Sequence, residues 1–470
     1  MKLYRIQEPF ILTIFGASGD LAKEKIFPAL YSLMEQKRFS EHFWIIGYAR
    51  TEKDMQTFRK EFEQSVKEKS KDEIDQNILS KLLEHVFYFT GQYDQKESFD
   101  KFQKYHRDLT KGKKVTHLAY FSVPPTAFQP IIKNLGETKK PGDDIRLIIE
   151  KPFGEDTASA TELFHFIARY FDEEQVYLLD HYLGKSVVQS ILHLRECNRI
   201  LNTLLDGDDI ANIQITAFEN VGVNSRIGYF DKVGLIKDMI QSHLLQVLAL
   251  ITMAIPVTET AESLHREKYN ILSSLSFTPN PKNIVIGQYE SYCHKQGVGE
   301  CSPTETFAAV RLFIDRQSWF NVPIYIRTGK MLKKKKTTIV IEFKKFAFQA
   351  KEDPANLLVI ELYPEEKMSL KLITKNGVGE MENKVITTSD SLACSGDDCL
   401  PEHGLLLLDV VRGRKIHFLS FPQIIAAWQV TEKMLKAAKK MKPEIYKDGG
   451  TGPDSQNNLT AMDKFTWHEL

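Results

Sequence analysis

Cysteine is scarce in this chain. Its five cysteines, Cys197, Cys293, Cys301, Cys394 and Cys399, are odd in number, scattered through 470 residues and form no CxxC pair. That excludes a dense disulfide framework and fits a reducing, cytoplasmic compartment. Net charge is also missing, since 62 Lys+Arg balance 62 Asp+Glu. No global field gathers nucleic acid or anionic membrane, so neither is expected as a partner. No run approaches the roughly 20 apolar residues that span a bilayer. The apolar stretch Phe10 to Phe15 is too short for a secretory core and runs straight into glycines. No internal repeat is present.

What remains is ordinary globular usage, with 42% hydrophobic and 26% charged residues, 18 Pro and 25 Gly. The length prior is about three units, and two larger ones fit as well. Any anion must be held by local clusters. The first third alternates short apolar runs (residues 10–17, 43–50, 86–91, 115–123, 145–151 and 175–180) with helix-period segments such as 23–37, 54–67, 98–109 and 157–170. That alternation predicts a parallel sheet covered on both faces. After residue 185 the pattern changes. A helix over 186–205, a strand over 210–219 and an apolar-rich helix over 229–253 lead into clustered strands at 306–314, 323–329, 337–343, 356–364 and 367–375. Clustered strands predict a mainly antiparallel sheet with helices. Residues 449–458 read as loop or disorder.

Directly after the first strand stands Gly16-Ala17-Ser18-Gly19-Asp20-Leu21-Ala22, a GxxGxxA spacing that opens a helix. Glycines let the backbone approach a pyrophosphate, and the helix N-terminus offers free N–H groups. The second strand ends Gly47-Tyr48-Ala49-Arg50 with no acid at its tip, which favours NADP, Arg50 meeting the 2′-phosphate. Three further segments concentrate chemistry: Glu150-Lys151-Pro152-Phe153-Gly154 and Asp180-His181-Tyr182-Leu183-Gly184-Lys185 close strands, and Asp238 to His243 lies on a helix. Ile240, Leu244, Leu248 and Ile251 form the buried stripe of that helix, with His243 at its border. A carboxylate such as Asp180 is suited to stabilise an imidazolium while the imidazole takes a hydroxyl proton. No metal is called for by this set.

In order and separation these motifs (GASGDLA, GYAR, EKPFG, DHYLGK, the run from Gly228 to His243, and IRTGK at 326–330) resemble the glucose-6-phosphate dehydrogenase family. The resemblance covers about residues 10–430. It implies a Rossmann-like, doubly wound NADP-binding domain over 1–180 and an α+β substrate-binding and oligomerisation domain over 181–470. It implies His243 as general base with Asp180 orienting it, and Lys151 touching sugar and nicotinamide. It further implies His181, Tyr182 and Lys185 on the sugar phosphate, Glu219 and Asp238 on sugar hydroxyls, Lys330 and Lys335 as further substrate contacts, and Tyr120 near the cofactor. The implied reaction is NADP-dependent oxidation of glucose 6-phosphate by a homodimer or homotetramer. Two alternatives stay open: another sugar or sugar-phosphate dehydrogenase, or a weakly catalytic NADP-binding sensor. The chain departs from the family at Leu178-Leu179, Ser186, Lys237 and Ser242, and after Pro401, where a second, structural NADP site loses support despite Arg327.

Overall fold

The computed structural model describes residues 5–70, 73–223, 227–299, 302–350, 353–376, 382–392 and 399–469. The chain forms two compact units, Met1–Lys185 with Cys394–Phe421, and Ser186–Ala393 with Pro422–Leu470. A single division at 180/181 is the expectation from sequence; the structure instead divides the chain after Lys185 and returns the described residues 399–421 to the first unit. The return has a packing cause. Helix Glu402–Val411 contributes Leu406, Leu407, Leu408, Val410 and Val411 to the same core as Leu12, Leu30 and Leu118.

In the first unit β1 (Phe10–Phe15), β2 (Phe43–Ala49), β3 (Val86–Thr90), β4 (Thr116–Phe121), β5 (Asp144–Glu150) and β6 (Val176–Leu179) form one sheet in the order β3-β2-β1-β4-β5-β6. Every neighbouring pair is parallel. The strands are apolar on both faces because helices cover both, as in β1, where all six residues are buried. Helix starts follow local chemistry. Asp54 caps helix Met55–Lys69 by accepting the Thr57 N–H at 2.7 Å, and Asp156 caps helix Thr157–Ala168 through Ser159.

The second unit holds a ten-stranded sheet. Its strands are β7 (Ile210–Phe218), β8 (Leu275–Ser276), β9 (Ile284–Tyr289), β10 (Phe307–Ile314), β11 (Ile324–Gly329), β12 (Lys336–Phe343), β13 (Leu357–Tyr363), β14 (Lys367–Asn376), β15 (Glu382–Ser391) and β16 (Glu444–Tyr446). The order is β15-β14-β13-β12-β7-β11-β10-β9-β16, with β8 paired to β10. Only β7–β11 and β9–β16 are parallel among the described pairs, so the expectation of a mainly antiparallel sheet holds.

Three local expectations change. Residues 449–458 are not loose: Leu332 bridges to Gly450, and helix Gln456–Ala461 buries Gln456, Leu459 and Thr460. The helical run 227–252 is long and apolar enough to cross a bilayer by length and composition alone, contrary to the reading that no segment is. It is a broken, largely buried helix, kinked at Gly234 and π-helical over Ile236–Leu244. Finally, Cys399 is disulfide-bonded, while Cys197 and Cys293 are free.

Candidate functional site

The order of the parallel sheet reverses between β1 and β4, the crevice where such sheets take their ligands. Gly16 leaves β1 there with φ +84°, and a Cβ built on it would stand 2.1 Å from the Ser122 carbonyl oxygen at the end of β4. Only glycine fits that approach. The turn is closed by Gly16 N–H donating to Tyr48 O at 2.8 Å and Gly19 N–H donating to Gly16 O at 2.9 Å. Ala17 is buried, Ser18 and Gly19 are partly exposed, and the helix begins at Asp20 and Leu21, offering first-turn N–H groups that have no intrahelical acceptor. The tight, side-chain-free cradle and the open N–H groups fit a dinucleotide pyrophosphate. Arg50 is exposed at the end of β2, its guanidinium 5.6 Å from the centre of the Tyr93 ring. Tyr93 was not singled out from sequence. Its hydroxyl reaches the Gly16 backbone, and burial raises its pKa against the opposing pull of Arg50. It therefore couples the cationic tip of β2 to the glycine turn.

Tyr120 does not present its hydroxyl to a crevice. Fully buried, it donates to Glu150 Oε1 at 2.6 Å, and His403 Nε2 lies 3.4 Å from the same oxygen. Burial, and then the Glu150 charge, push the Tyr120 phenol well above its usual range, so it stays a donor. Two groups thus fix the last residue of β5, directly before Lys151 and its cis bond to Pro152. His403 comes from the returned helix, where the chain departs from the family pattern. The same helix backs the next motif, because Gly184 leaves no space for a Cβ beside Leu406 (2.9 Å).

After β6, Asp180 is 2% exposed and accepts the Tyr182 N–H on Oδ1 at 2.9 Å. Leu183, Gly184 and Lys185 N–H groups donate in succession to the carbonyls of Asp180, His181 and Tyr182. This tight turn gathers three predicted phosphate-holding residues. The His181 ring meets Tyr182 edge-on at 5.3 Å, and Lys185 Nζ stands 4.3 Å over the Tyr182 ring.

In the second unit, Asp238 and His243 both lie in the π-helical segment Ile236–Leu244, and His243 is 1% exposed. Winding matters here. Residues five apart are about 140° apart around an α-helix, whereas an i→i+5 repeat brings them roughly onto one face. The π segment therefore puts Asp238 on the His243 side, which α periodicity alone does not give. Lys330, the first residue after β11, forms an ion pair with Glu219 at the end of β7 and lies 5.3 Å from the Phe230 ring centre. The structure thus brings together Glu219 and Lys330, two of the predicted substrate contacts. Lys335 is exposed, 4.1 Å over the Tyr363 ring. Arg327 is occupied by its own chain. Its guanidinium donates to Thr216, Gln456 and Glu469 and stacks at 4.1 Å on Trp467.

A parallel sheet in this order, a glycine cradle at its switch point and a basic-acidic set at the ends of β5 and β6 fit a nicotinamide-dinucleotide-dependent dehydrogenase with a second, α+β unit. The comparisons with known proteins sharpen this. Residues 13–190 match the family profile "Glucose-6-phosphate dehydrogenase, NAD binding domain", and residues 192–468 match "Glucose-6-phosphate dehydrogenase, C-terminal domain". Glucose-6-phosphate 1-dehydrogenase of Schizosaccharomyces pombe is 34% identical over 466 residues, covering 96% of this chain and 93% of its own. Glucose-6-phosphate 1-dehydrogenase 5, cytoplasmic, of Arabidopsis thaliana is 35% identical, covering 95% and 90%. A glucose-6-phosphate dehydrogenase solved in complex with its substrate glucose-6-phosphate superposes with TM-score 0.90 at 33% identity, covering 99% of each chain. The chain belongs to the glucose-6-phosphate dehydrogenase family.

Proposed function

We propose that the chain oxidises glucose 6-phosphate at its anomeric carbon, passing hydride to NADP and forming 6-phosphoglucono-δ-lactone. The observation that supports this best is a match to a glucose-6-phosphate 1-dehydrogenase along nearly the whole chain, in a sequence that carries Lys151, Asp180, His181, Lys185 and His243 in the motifs that resemble the family's. When bound, NADP supplies the nicotinamide that accepts the hydride. His243 takes the proton of the anomeric hydroxyl, and the Asp180 carboxylate favours the resulting imidazolium. Losing that proton raises electron density on the anomeric carbon, which lets its C–H bond break with the electron pair leaving as hydride. His181, Tyr182 and Lys185 hold the sugar phosphate, where cationic donors suit a dianion. Glu219 and Asp238 accept from sugar hydroxyls, Lys330 holds Glu219 in place, and Lys335 adds charge at the rim. Lys151 serves sugar and nicotinamide together, and Arg50 meets the 2′-phosphate.

We also infer a cytoplasmic homodimer or homotetramer, packed through the large sheet. Strands β14 and β15, at one edge, expose Leu372, Val385 and Ile386. Light scattering giving only the 54.0 kDa monomer mass contradicts the assembly. The activity is tested by crossing NADP and NAD with glucose 6-phosphate and glucose while following absorbance of the reduced cofactor. Turnover only with the phosphorylated sugar, and faster with NADP, is expected. Preferred turnover of unphosphorylated glucose, or tight NADP binding with no turnover, contradicts the reading.

A further inference from the structure

We propose that Glu305 is a positioning residue for the proton transfer: its carboxyl anchors the start of the π-helical segment that carries Asp238 and His243. The inference rests on the proposed role of His243 and extends it to a residue that never touches substrate.

Glu305 stands two residues before β10, outside every motif read from the sequence. Its Oε1 accepts the Ile236 N–H at 3.0 Å, and its backbone carbonyl accepts the Leu235 N–H at 3.3 Å. Ile236 is the first residue of the π segment, and Leu235, at the cap position, provides no side-chain cap. The first N–H groups of any helix lack acceptors within it, so Glu305 provides from another element what the local sequence does not. Space has been kept for it. A Cβ on Gly234 would lie 2.5 and 2.7 Å from the two carboxyl oxygens, and Gly234 has φ +72°. The residue keeps partial exposure while its carboxyl is enclosed. That enclosure raises the carboxyl pKa, opposed by the Ile236 and Leu235 N–H groups and by Lys237.

The consequence concerns winding. Nine consecutive π-helical residues are uncommon, and such segments persist where surrounding contacts over-determine them. With the anchor released, the segment relaxes toward α winding, in which residues five apart are turned roughly 140° from each other. Asp238 and His243 then no longer serve one sugar from one face. Glu305 and Gly234 together hold the phase of the helix.

The test uses Glu305→Gln, which keeps an acceptor, and Glu305→Leu, which keeps bulk without one, in the full-length chain. Glu305→Leu is expected to lower kcat on glucose 6-phosphate roughly 10- to 100-fold while leaving NADP affinity unchanged, because the glycine turn lies in the other unit. Glu305→Gln is expected to stay close to the parent. Amide exchange over residues 236–244, read by mass spectrometry, is expected to quicken in Glu305→Leu and not in Glu305→Gln. If Glu305→Leu does not fold, Gly234→Ala displaces the carboxyl instead and is expected to give the same kinetic and exchange pattern. Parent-like kcat and exchange in whichever of these two variants folds overturns the proposal, as does Glu305→Gln being as damaged as Glu305→Leu. The exchange readout needs no turnover. A parent protein inactive on glucose 6-phosphate would refute the proposed function while the anchoring claim is still decided.

Discussion

Replacing Gly16 by Ala tests whether the β1 turn is a ligand cradle rather than an ordinary bend. The new Cβ would lie 2.1 Å from the Ser122 carbonyl oxygen and 2.7 Å from a Val123 methyl. Backbone cannot yield as a flexible side chain does, so the turn must retreat by roughly 1 Å, a displacement that costs about a hundredfold where ligand geometry is tight. At φ +84° the alanine adds left-handed strain of about 1–2 kcal/mol. We expect NADP affinity to fall about 10- to 100-fold, or about 1–3 kcal/mol, measured by titration calorimetry on the full-length chain. Gly112→Ala is the control. It has φ +71° but nothing within 4 Å of the added Cβ, so it carries the strain without the collision. It should lower stability by about 1 kcal/mol and leave NADP binding untouched. Equal loss of NADP affinity in both variants, or none in Gly16→Ala, refutes the reasoning.

Arg50→Ala should weaken NADP and spare NAD, and equal loss for both removes Arg50 from the 2′-phosphate. Tyr120→Phe takes a donor from the buried Glu150 carboxylate, so urea denaturation should show a loss of about 1–3 kcal/mol; an unchanged midpoint means the bond is idle. His106 and His117 sit in the first unit with ring centres 4.9 Å apart. Burial depresses both, His106 to about 4. A depressed histidine contributes stability that is complete above its unfolded pKa near 6.5 and is lost as pH falls toward the folded value, about 3 kcal/mol for His106. Urea midpoints at pH 7 and pH 4.5 should therefore differ less in His106→Gln than in the parent. Trp467→Ala removes a ring that is 7% exposed and lies under Arg327, and should cost about 3–5 kcal/mol in the same assay.

Much of this architecture is legible in residue order. Apolar runs between glycines and helix-period segments mark β1 to β6, and the turn glycines announce where the sheet takes its ligand. Winding is less legible. Ile240, Leu244, Leu248 and Ile251 satisfy an α-helical stripe, yet residues 236–244 are π-helical, because tertiary anchors such as Glu305 set the hydrogen-bond register and leave no local signature. Long-range return is equally silent. The apolar helix Glu402–Val411 does not say in its composition that its leucines belong with Leu12 and Leu118. Gly- and Asn-rich residues 449–458 look loose because composition cannot show that Pro453 packs where Gly287 has no side chain. Of the candidate site, the motif residues stand where sequence put them, at strand ends and on one helix. The residues that hold them, Tyr93, His403 and Glu305, are separated from them by tens to hundreds of positions.

The most direct test of the account is NADPH formation by the purified chain supplied with glucose 6-phosphate and NADP, set beside His243→Asn. Steady growth of NADPH absorbance in the parent and near-complete loss of it in the variant, with NADP affinity intact, is the expected result. A variant that turns over like the parent, or a parent that makes no NADPH from glucose 6-phosphate, contradicts it.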